Sequence, residues 1–396
     1  MKRILVGFLS ILTYFFSKLI KKNTDLYVIG SSLGQGFFDN SKYLYLYAQT
    51  KSSKKRLVWV TKNKNVVNLL KIHNLPVQYL YSFKGIFTVI RASKAFLTHS
   101  IDDINGALLG GALIIQLWHG VPLKNIDYKY KNNLKGRLRF LMHSLLPYHY
   151  FLHCDKLVAC SEFSKDIYRE VFLLPPGGIQ DADDILILGQ PRNDALFENY
   201  VFKTDLFPEL DCLKSYNSEF NFIVSWLPTH RGQLGKSIKD LMSDFNHLNS
   251  FCEKNNILLV IKPHFLELEE LNKYDVDKLS HIEIFSYDDP YPLLNFTDIL
   301  ITDYSSVYTD FLITNKPILF YIPDFEIYKK NVDFYCEYDD VTPGIKCFNM
   351  TDLIHGIITI TSQGDPYEKI RRKFHKDARF VNEPNCRVIY DHFWTN

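Results

Sequence analysis

The feature that most constrains the fold is the alternation, from Asp25 onward, of short apolar runs with amphipathic stretches. Such alternation predicts βαβ units in a parallel sheet, because parallel strands need a crossover between them. The candidate strands form two series. The first comprises Leu26–Ile29, Arg56–Val60, Lys94–Leu97, Ala112–Leu117, Lys156–Ala159 and Ile185–Leu188, and the second Phe220–Ser225, Ile257–Lys262, Ile282–Phe285, Ile299–Thr302 and Pro317–Tyr321.

Two consecutive series, in a chain of 396 residues, predict an α/β protein with two Rossmann-like domains facing a central cleft. Between the series, Phe197–Ser218 loses its apolar periodicity, which predicts a linker. We therefore expect one domain over residues 23–200 and another over residues 201–396, preceded by a short helix over residues 1–22.

That N-terminal helix is the candidate membrane contact. Ile4–Ile20 is largely apolar and has lysine or arginine on both sides, without a small-residue cleavage site after it. It is short for a spanning helix. A helix lying in the membrane interface fits best, with a spanning helix and a core helix as alternatives. Its small and polar residues fall along one stripe: Gly7, Ser10, Tyr14, Ser17 and Lys21.

The net charge and the cysteine spacing argue against several classes of protein. The net charge of +2 argues against a nucleic-acid partner. The seven cysteines are scattered and never spaced as CxxC, which argues against a zinc site and a disulfide framework and favours reduced thiols in the cytoplasm. Lys124–Arg139 holds six cations against Asp127 alone, and apolar Phe140–Phe151 follows. It is either a solvated face or a surface for anionic lipid or a phosphate-bearing acceptor.

The first candidate site residue is His119, which follows the run Ala112–Leu117 and is flanked by Gly120. Open α/β sheets bind ligands just beyond the carboxyl ends of their strands. An imidazole there is a candidate base near neutral pH, and a buried core histidine is the alternative.

Three strand ends in the second series are rich in hydrogen-bond donors. Thr229–Arg231 follow one strand, and Lys262 and His264 close the next. A later strand ends in Thr302-Asp303, after which Ser305 and Ser306 can cap a helix. The start of such a helix would bind an anion such as a diphosphate, with an ordinary cap as the alternative.

A glycine-containing stretch follows the first strand. Gly30, Gly34 and Gly36 follow that strand, as glycines do in a dinucleotide fingerprint, but Asp39 stands where the third glycine should be. This is a weak dehydrogenase signal, and a loop over the path of an acceptor is equally consistent.

Together these residues resemble the CDP-glycerol glycerophosphotransferase family, which contains the teichoic acid primases and polymerases and related capsule enzymes. The resemblance implies the GT-B fold, an acceptor domain followed by a CDP-donor domain, and chemistry without a metal or cofactor. The matching motifs, in family order, are Asp39–Tyr43, Trp118–Lys124, Gly189–Asp194, Leu227–Arg231, Lys262–His264, Leu300–Asp310 with Lys316-Pro317, and Pro343-Gly344.

The resemblance also implies roles for single residues. His119 is similar to the general base, and His264 to the residue that contacts the donor diphosphate. Further donor or substrate contacts are implied at Gly120, Arg192, Thr229, Arg231, Lys262, Asp303, Ser305, Ser306 and Asp310. The sequence departs from the family at three places: Val121 stands where threonine is common, His230 where a bulky aromatic is common, and Glu383–Cys386 where a small, glycine-containing segment is usual.

The expected reaction is transfer of glycerol or ribitol phosphate from CDP-glycerol or CDP-ribitol to a hydroxyl of a lipid-linked saccharide or polyol-phosphate acceptor, with release of CMP. It would serve teichoic acid or capsule synthesis at the cytoplasmic face of the bacterial membrane. Glycerol versus ribitol, the acceptor, and single addition versus polymerisation stay open, although the lack of an extra domain favours a primase-like enzyme. The alternatives are a GT-B glycosyltransferase using a nucleotide sugar and a non-enzymatic module that binds polyanions.

Overall fold

A computed structural model of the protein describes residues 2–124, 153–172, 181–229, 244–264, 267–268, 279–332 and 334–395. Its strands form two parallel sheets, with seven strands in the order β3-β2-β1-β4-β5-β6-β7 and six in the order β10-β9-β8-β11-β12-β13. The strands are β1 (Asn23–Ile29), β2 (Arg56–Thr61), β3 (Val77–Tyr79), β4 (Ala92–Leu97), β5 (Leu113–Gln116), β6 (Lys156–Ala159), β7 (Ile185–Ile187), β8 (Phe222–Trp226), β9 (Ile257–Ile261), β10 (Ile282–Ile284), β11 (Ile299–Thr302), β12 (Ile318–Tyr321) and β13 (Ile345–Cys347).

The strands are connected by helices, as parallel pairing requires. They are α1 (Lys2–Leu19), α2 (Asp39–Gln49), α3 (Lys64–Ile72), α4 (Phe83–Arg91), α5 (Glu162–Phe172), α6 (Leu210–Glu219), α7 (Phe245–Asn255), α8 (Tyr291–Phe296), α9 (Val307–Phe311), α10 (Phe325–Asn331), α11 (Tyr338–Val341), α12 (Met350–Gln363), α13 (Glu368–Asp377) and α14 (Asn385–Thr395).

Each sheet begins with the strand order 3-2-1-4-5-6 of a doubly wound fold, counted within its own series. The predicted α/β class with parallel sheets is therefore confirmed. Strands β3 and β13 were not predicted. The expected linker over Phe197–Ser218 contains most of α6, whose Leu210 and Leu213 are buried.

The chain divides into two compact units. The first unit lies within residues 1–119, 127–194 and 379–396, and the second within residues 120–126 and 195–378. The prediction assigned all of residues 201–396 to the second domain, but the C-terminal residues belong to the first unit. The reason is local: Asp194 accepts hydrogen bonds from the backbone N–H groups of Asn385 and Cys386, where α14 begins.

Helix α1 packs against the rest of the first unit through Ser17, a residue of its polar stripe. Ser17 is buried, and its Oγ lies 3.0 Å from the carbonyl oxygen of Tyr14 and 3.3 Å from that of Ala107. A Cβ on Gly110 would lie 2.4 Å from that Oγ, so glycine permits the close approach. The opposite side of the helix exposes Leu9, Leu12, Phe15, Phe16 and Leu19.

In the part of the chain that the structure describes, no helix combines the length and the apolar character needed to cross a membrane. The helix expected over residues 1–22 is present as α1, and its association with a membrane stays a prediction.

Candidate active site

Two neighbouring strand ends of the first unit carry histidines. β4 and β5 pair in parallel, with Leu97 opposite Gln116, so the segments that follow them run side by side. His99 lies on one segment and His119 on the other. The order of the sheet reverses between β1 and β4, so both histidines lie close to the place where open α/β sheets bind ligands.

The backbone around His119 is unusual on both sides. Trp118 has φ 57° and Gly120 has φ 137°, and a bulky residue at positive φ costs about 1–2 kcal/mol. Hydrogen bonds hold Trp118 in place. Its N–H donates to Oε1 of Gln116 at 3.2 Å, and its carbonyl oxygen accepts from Nδ2 of Asn40 at 2.8 Å. This turn fixes the direction in which the His119 side chain leaves the sheet.

The tautomer of His119 follows from its hydrogen bond. Nδ1 lies 3.2 Å from the carbonyl oxygen of Thr98, and a carbonyl only accepts, so Nδ1 carries the proton. Nε2 of the neutral ring then has a lone pair, and within the described residues it has no hydrogen-bond partner. This is the arrangement that a general base requires.

Burial lowers the pKa of His119 from 6.5 to about 4. A positive charge on His99 or Arg192 acts in the same direction, whereas the carboxylate of Asp39 and the bond to Thr98 oppose it. The imidazole is therefore neutral at physiological pH and able to accept a proton.

Three motifs that are far apart in the sequence converge beside this histidine. Asp39 and Arg192 form a buried ion pair with 2.7 Å between Oδ1 and Nη1. The side chain of Asn40 donates to Trp118 and accepts from the backbone N–H of Arg192 at 3.1 Å. Burial alone would raise the pKa of Asp39, but Arg192, His99, His119 and the N–H of Asn40 together lower it. The aspartate is therefore held as a carboxylate.

The segment Glu383–Cys386, which departs from the family pattern, lies in the first unit. Asn385 and Cys386 donate to the carboxylate of Asp194, the last residue of the Gly189–Asp194 motif. A Cβ on Gly189 would lie 1.5 Å from Oδ1 of Asn385, so only glycine fits there. In this chain the segment has a structural role at the start of α14.

In the second unit, Asp303 joins two strand ends at the place where the strand order reverses. β8 and β11 are paired, and Thr229 and Asp303 follow them. Thr229 donates to the Asp303 carboxylate through Oγ1 at 2.6 Å and through its N–H at 2.9 Å. The carbonyl of Asp303 accepts from the hydroxyl of Tyr338 at 2.8 Å. Contacts of Thr229 and Asp303 with substrate stay predictions.

Ser305 and Ser306 follow on the same loop, and both are half-buried. The helix that they precede, α9, has only five residues, so it provides little of the dipole expected to bind a diphosphate. Ser306 occupies the cap position without a side-chain hydrogen bond, whereas Oγ of Ser305 accepts from the N–H of Val307 at 3.3 Å. An anion at this position would therefore gain little from a helix dipole.

The other predicted residues of this unit that the structure describes are Lys262, His264 and Asp310. Nζ of Lys262 donates to the carbonyl oxygen of Tyr287 at 2.5 Å, and burial lowers its pKa. His264 is half-buried just beyond β9. Asp310 is buried in α9 and accepts from the hydroxyl of Tyr291 at 2.6 Å, so it contributes to the packing of the unit.

Some predictions fall on residues that the structure does not describe. Arg231 and His230 lie outside the described residues, and so does the basic stretch after Lys124. The roles assigned to them stay predictions.

The model of the CDP-glycerol:poly(glycerophosphate) glycerophosphotransferase family matches residues 12–386. The chain belongs to this family. The predicted enzyme class, transfer of a polyol phosphate from a CDP-activated donor, is thereby confirmed. The match also extends across both units of the structure.

Curated relatives of the chain carry consistent names. The chain is 26% identical to a teichoic acid poly(glycerol phosphate) polymerase of Bacillus spizizenii, over 95% of this chain and 89% of the relative. It is 28% identical to a teichoic acid glycerol-phosphate transferase of Staphylococcus aureus, over 91% of this chain and 90% of the relative. A ribitol-phosphate polymerase of the same species is 30% identical over 58% of this chain and 39% of the relative.

Among solved structures, the wall teichoic acid polymerase TagF superposes with a TM-score of 0.75 at 21% identity, covering 99% of this chain and 94% of the other. UDP-N-acetylglucosamine 2-epimerase of Neisseria meningitidis superposes more weakly, with a TM-score of 0.54 at 11% identity, over 94% of this chain and all of the other. Both likenesses concern the fold.

Sequence reasoning missed His99 and the part played by Asn40. The signal for His99 was present, because it follows the candidate strand Lys94–Leu97 by two residues, as His119 follows Leu117. For Asn40 the sequence holds no comparable signal, since its partners Trp118 and Arg192 are 78 and 152 positions away.

Proposed function

We propose that the protein transfers glycerol phosphate from CDP-glycerol to a hydroxyl of a lipid-linked acceptor and releases CMP, in the synthesis of a teichoic-acid-type polymer. The observation that carries the proposal is the neutral His119, whose Nε2 is available as a base in a chain matched by the family over residues 12–386. The names of the relatives support teichoic acid as the product class.

The reaction begins at the acceptor hydroxyl. Nε2 of His119 takes its proton while the oxygen attacks the phosphorus that bears the glycerol. The bond between that phosphorus and the bridging oxygen of the diphosphate breaks, and CMP leaves with the bonding electrons. General-base assistance provides about 10² to 10⁴ in rate, and positioning and electrostatic stabilisation provide much of the rest.

The donor is assigned to residues of the second unit. Lys262 and Arg231 provide positive charge for the diphosphate, and His264, Thr229, Ser305 and Ser306 provide hydrogen bonds. Support comes from their place in the sequence, at or directly after the carboxyl ends of β8, β9 and β11, where doubly wound sheets bind nucleotides.

The membrane surface is the second part of the proposal. The exposed side of α1 displays Phe16 at 58% and Leu19 at 84% of their full accessibility, and α4 displays Phe83 at 96% and Phe87 at 61%. Nζ of Lys22 donates to the carbonyl oxygen of Ile90, which places the end of α1 beside the end of α4. Neither helix contains an acidic residue, although the chain has 44. Apolar side chains with lysine and arginine around them suit an anionic lipid surface.

A release assay with several donors tests the reaction. The protein is incubated with CDP-glycerol, CDP-ribitol or a UDP-sugar and a panel of lipid-linked saccharide and polyol-phosphate acceptors, and nucleotide release is measured. The proposal expects CMP from CDP-glycerol at a rate that depends on the acceptor and that His119→Ala lowers about 10²-fold or more. Release of UDP alone would assign the protein to the glycosyltransferases, and CMP from CDP-ribitol alone would change the donor.

A further inference from the structure

We propose that His99 is a positioning residue for His119, and that the glycine-containing turn after β1 serves to hold His99 in place. This inference rests on the proposed function of His119 as the base. It gives a role to a histidine and a turn that the reaction otherwise leaves unused.

The two imidazoles form a stacked pair. Their ring centroids are 4.7 Å apart and their planes differ by 13°. Nδ1 of His119 is held by the carbonyl of Thr98, the residue next to His99, so one short segment fixes both the plane and the tautomer of the base. A hydrogen bond at one nitrogen leaves the His119 ring partly free to rotate about χ2, the torsion of its Cβ–Cγ bond. A ring stacked on it restricts this rotation.

His99 is held in place by the turn after β1 and by Asp103. The N–H of Ser32 donates to its Nδ1 at 3.2 Å, and the N–H of Leu33 donates to Oδ1 of Asp103 at 2.8 Å. Oδ2 of Asp103 in turn accepts from the N–H groups of Thr98 and His99, at 2.8 and 2.7 Å. Asp103 therefore connects the glycine-containing turn to the histidine segment.

The turn is built at a conformational cost. Ser32 and Leu33 have φ of 51° and 54°, a region that costs a residue with a side chain about 1–2 kcal/mol. A Cβ on Gly30 would lie 2.7 Å from the carbonyl oxygen of Asp103. Strain of this size persists where the surroundings determine the conformation, and here it directs two backbone N–H groups at His99 and Asp103.

The same hydrogen bonds exclude a dinucleotide at this turn. A phosphate-binding loop presents unused N–H groups to its ligand. Here the N–H of Gly30 donates to Phe96, that of Gly34 donates to Ser31, and those of Ser32 and Leu33 donate to His99 and Asp103. Gly30 and Gly34 therefore allow close packing against the carbonyl oxygen of Asp103.

The charged groups around the stacked rings of His99 and His119 affect the pKa of His119, which can be measured. The groups that face it are Asp39, with Oδ2 3.9 Å from Nε2 of His99, Asp103, with Oδ1 4.0 Å from Nδ1, and Arg192, paired with Asp39. After burial, a positive charge on His99 is the next cause that lowers the pKa of His119. Replacing His99 with an uncharged ring that keeps His119 buried should therefore raise the pKa of the base.

Three substitutions of His99 separate its contributions. His99→Phe keeps a ring for stacking but loses the acceptor for Ser32 and the charge. His99→Asn keeps an acceptor in the place of Nδ1 but loses the ring and the charge. His99→Ala loses all three. His355→Ala, at an exposed position on α12, is the matched control.

The first readout is the pH profile of kcat and kcat/KM for CMP release from CDP-glycerol. We expect His99→Ala to lower kcat on the order of 10- to 100-fold with a small change in the KM for CDP-glycerol, because the base is misplaced and the donor is not. His99→Phe and His99→Asn should each recover part of kcat. In all three the acidic limb of kcat/KM should move to higher pH, and in His355→Ala neither quantity should change.

The second readout does not need activity. In protein labelled with ¹³C-histidine, the His119 resonance is assigned by its loss in His119→Ala and is then titrated. A higher midpoint in His99→Phe than in the wild type supports the inference, and identical midpoints overturn it. If wild-type protein releases no CMP, the proposed function fails while this titration still decides the coupling of the two rings. If His119→Ala abolishes release but folded His99→Phe and His99→Asn keep wild-type profiles, the role of His99 fails alone.

Discussion

Nη1 of Arg192 lies 2.7 Å from Oδ1 of Asp39, and both side chains are buried in the first unit beside His119. Breaking a buried ion pair by removing one partner costs about 3–5 kcal/mol, because the other charge is left uncompensated. We therefore expect Asp39→Asn to lower the midpoint of thermal unfolding markedly and to impair CMP release. Asp166→Asn, which removes the exposed pair of Asp166 with Arg169, should change the midpoint little. Equal midpoints for the two variants would contradict the structural role of the pair.

His119→Ala is the direct test of the base. Its removal should lower kcat about 10²-fold or more, the usual scale for loss of a general base, with a smaller change in the KM for CDP-glycerol. Steady-state CMP release measures both constants, and circular dichroism checks that the variant is folded. Turnover within a few-fold of the wild type would remove His119 from the mechanism.

The pH dependence follows from the depressed pKa of the same residue. Because the neutral ring is the active form, activity is present above the pKa and is lost as the pH falls through it. With a pKa of about 4 in place of 6.5, the acidic limb of kcat/KM should lie near pH 4. This constant reports the free enzyme, so it is the appropriate measurement. A limb near pH 6.5 would show that the imidazole is not held in the buried, neutral state described here.

The strands and the position of His119 could be predicted from the sequence, but the contacts around His119 could not. The two series of apolar runs predicted eleven strands, and each of them overlaps a strand of the structure, because buried parallel strands are nearly continuous in Val, Ile and Leu. His119 could be selected because strand ends in such sheets bind ligands. The network behind it could not, because Asn40, Trp118 and Arg192 meet only after folding, and no local pattern records that contact.

The helix after Ser306 was expected from the sequence but is shorter than a helix that could bind an anion through its dipole. The residues Val307–Phe311 follow a cap-like Ser-Ser pair, and the sequence favours a helix there. The chain leaves the α-helical conformation after five residues, passes through a 3₁₀ turn at Leu312–Thr314 and reaches a left-handed residue at Asn315. Sequence patterns predict the presence of helices better than their lengths, so the short dipole of α9 could not be predicted from the sequence.

Substitution of both serines on this loop tests the donor contact. Because α9 is short, Ser305→Ala with Ser306→Ala should weaken CDP-glycerol binding only through two lost hydrogen bonds, about tenfold in Kd. The unfolding midpoint should stay near that of the wild type, since the described bond of Ser305 is long at 3.3 Å. Calorimetric titration with CDP-glycerol measures the affinity, and Ser362→Ala, at an exposed position on α12, is the control. Unchanged affinity in the double variant would exclude both hydroxyls from the donor site.

The membrane prediction is best tested by changing the exposed side of α1 instead of deleting the helix. Deletion would also remove Ser17 from its contact with Ala107 and would expose the turn at Gly110, so loss of function could reflect damage to the unit. Leu12→Ser, Phe16→Ser and Leu19→Ser together leave that contact intact. Each such side chain contributes up to about 1.5–3 kcal/mol when it leaves water, so the triple variant should no longer sediment with anionic vesicles.

Ile327→Ser with Phe348→Ser, which changes two exposed apolar residues of the second unit, should sediment like the wild type. CMP release with a soluble acceptor analogue should be equal in all three proteins, because every residue assigned to the reaction lies after α1. Raising the salt concentration should weaken the wild-type interaction only in part, since lysine and arginine contribute a screened term and the apolar side chains do not. Vesicle binding that survives the triple variant would show that another surface makes the contact. In that case Phe83→Ser with Phe87→Ser determines whether α4 alone provides it.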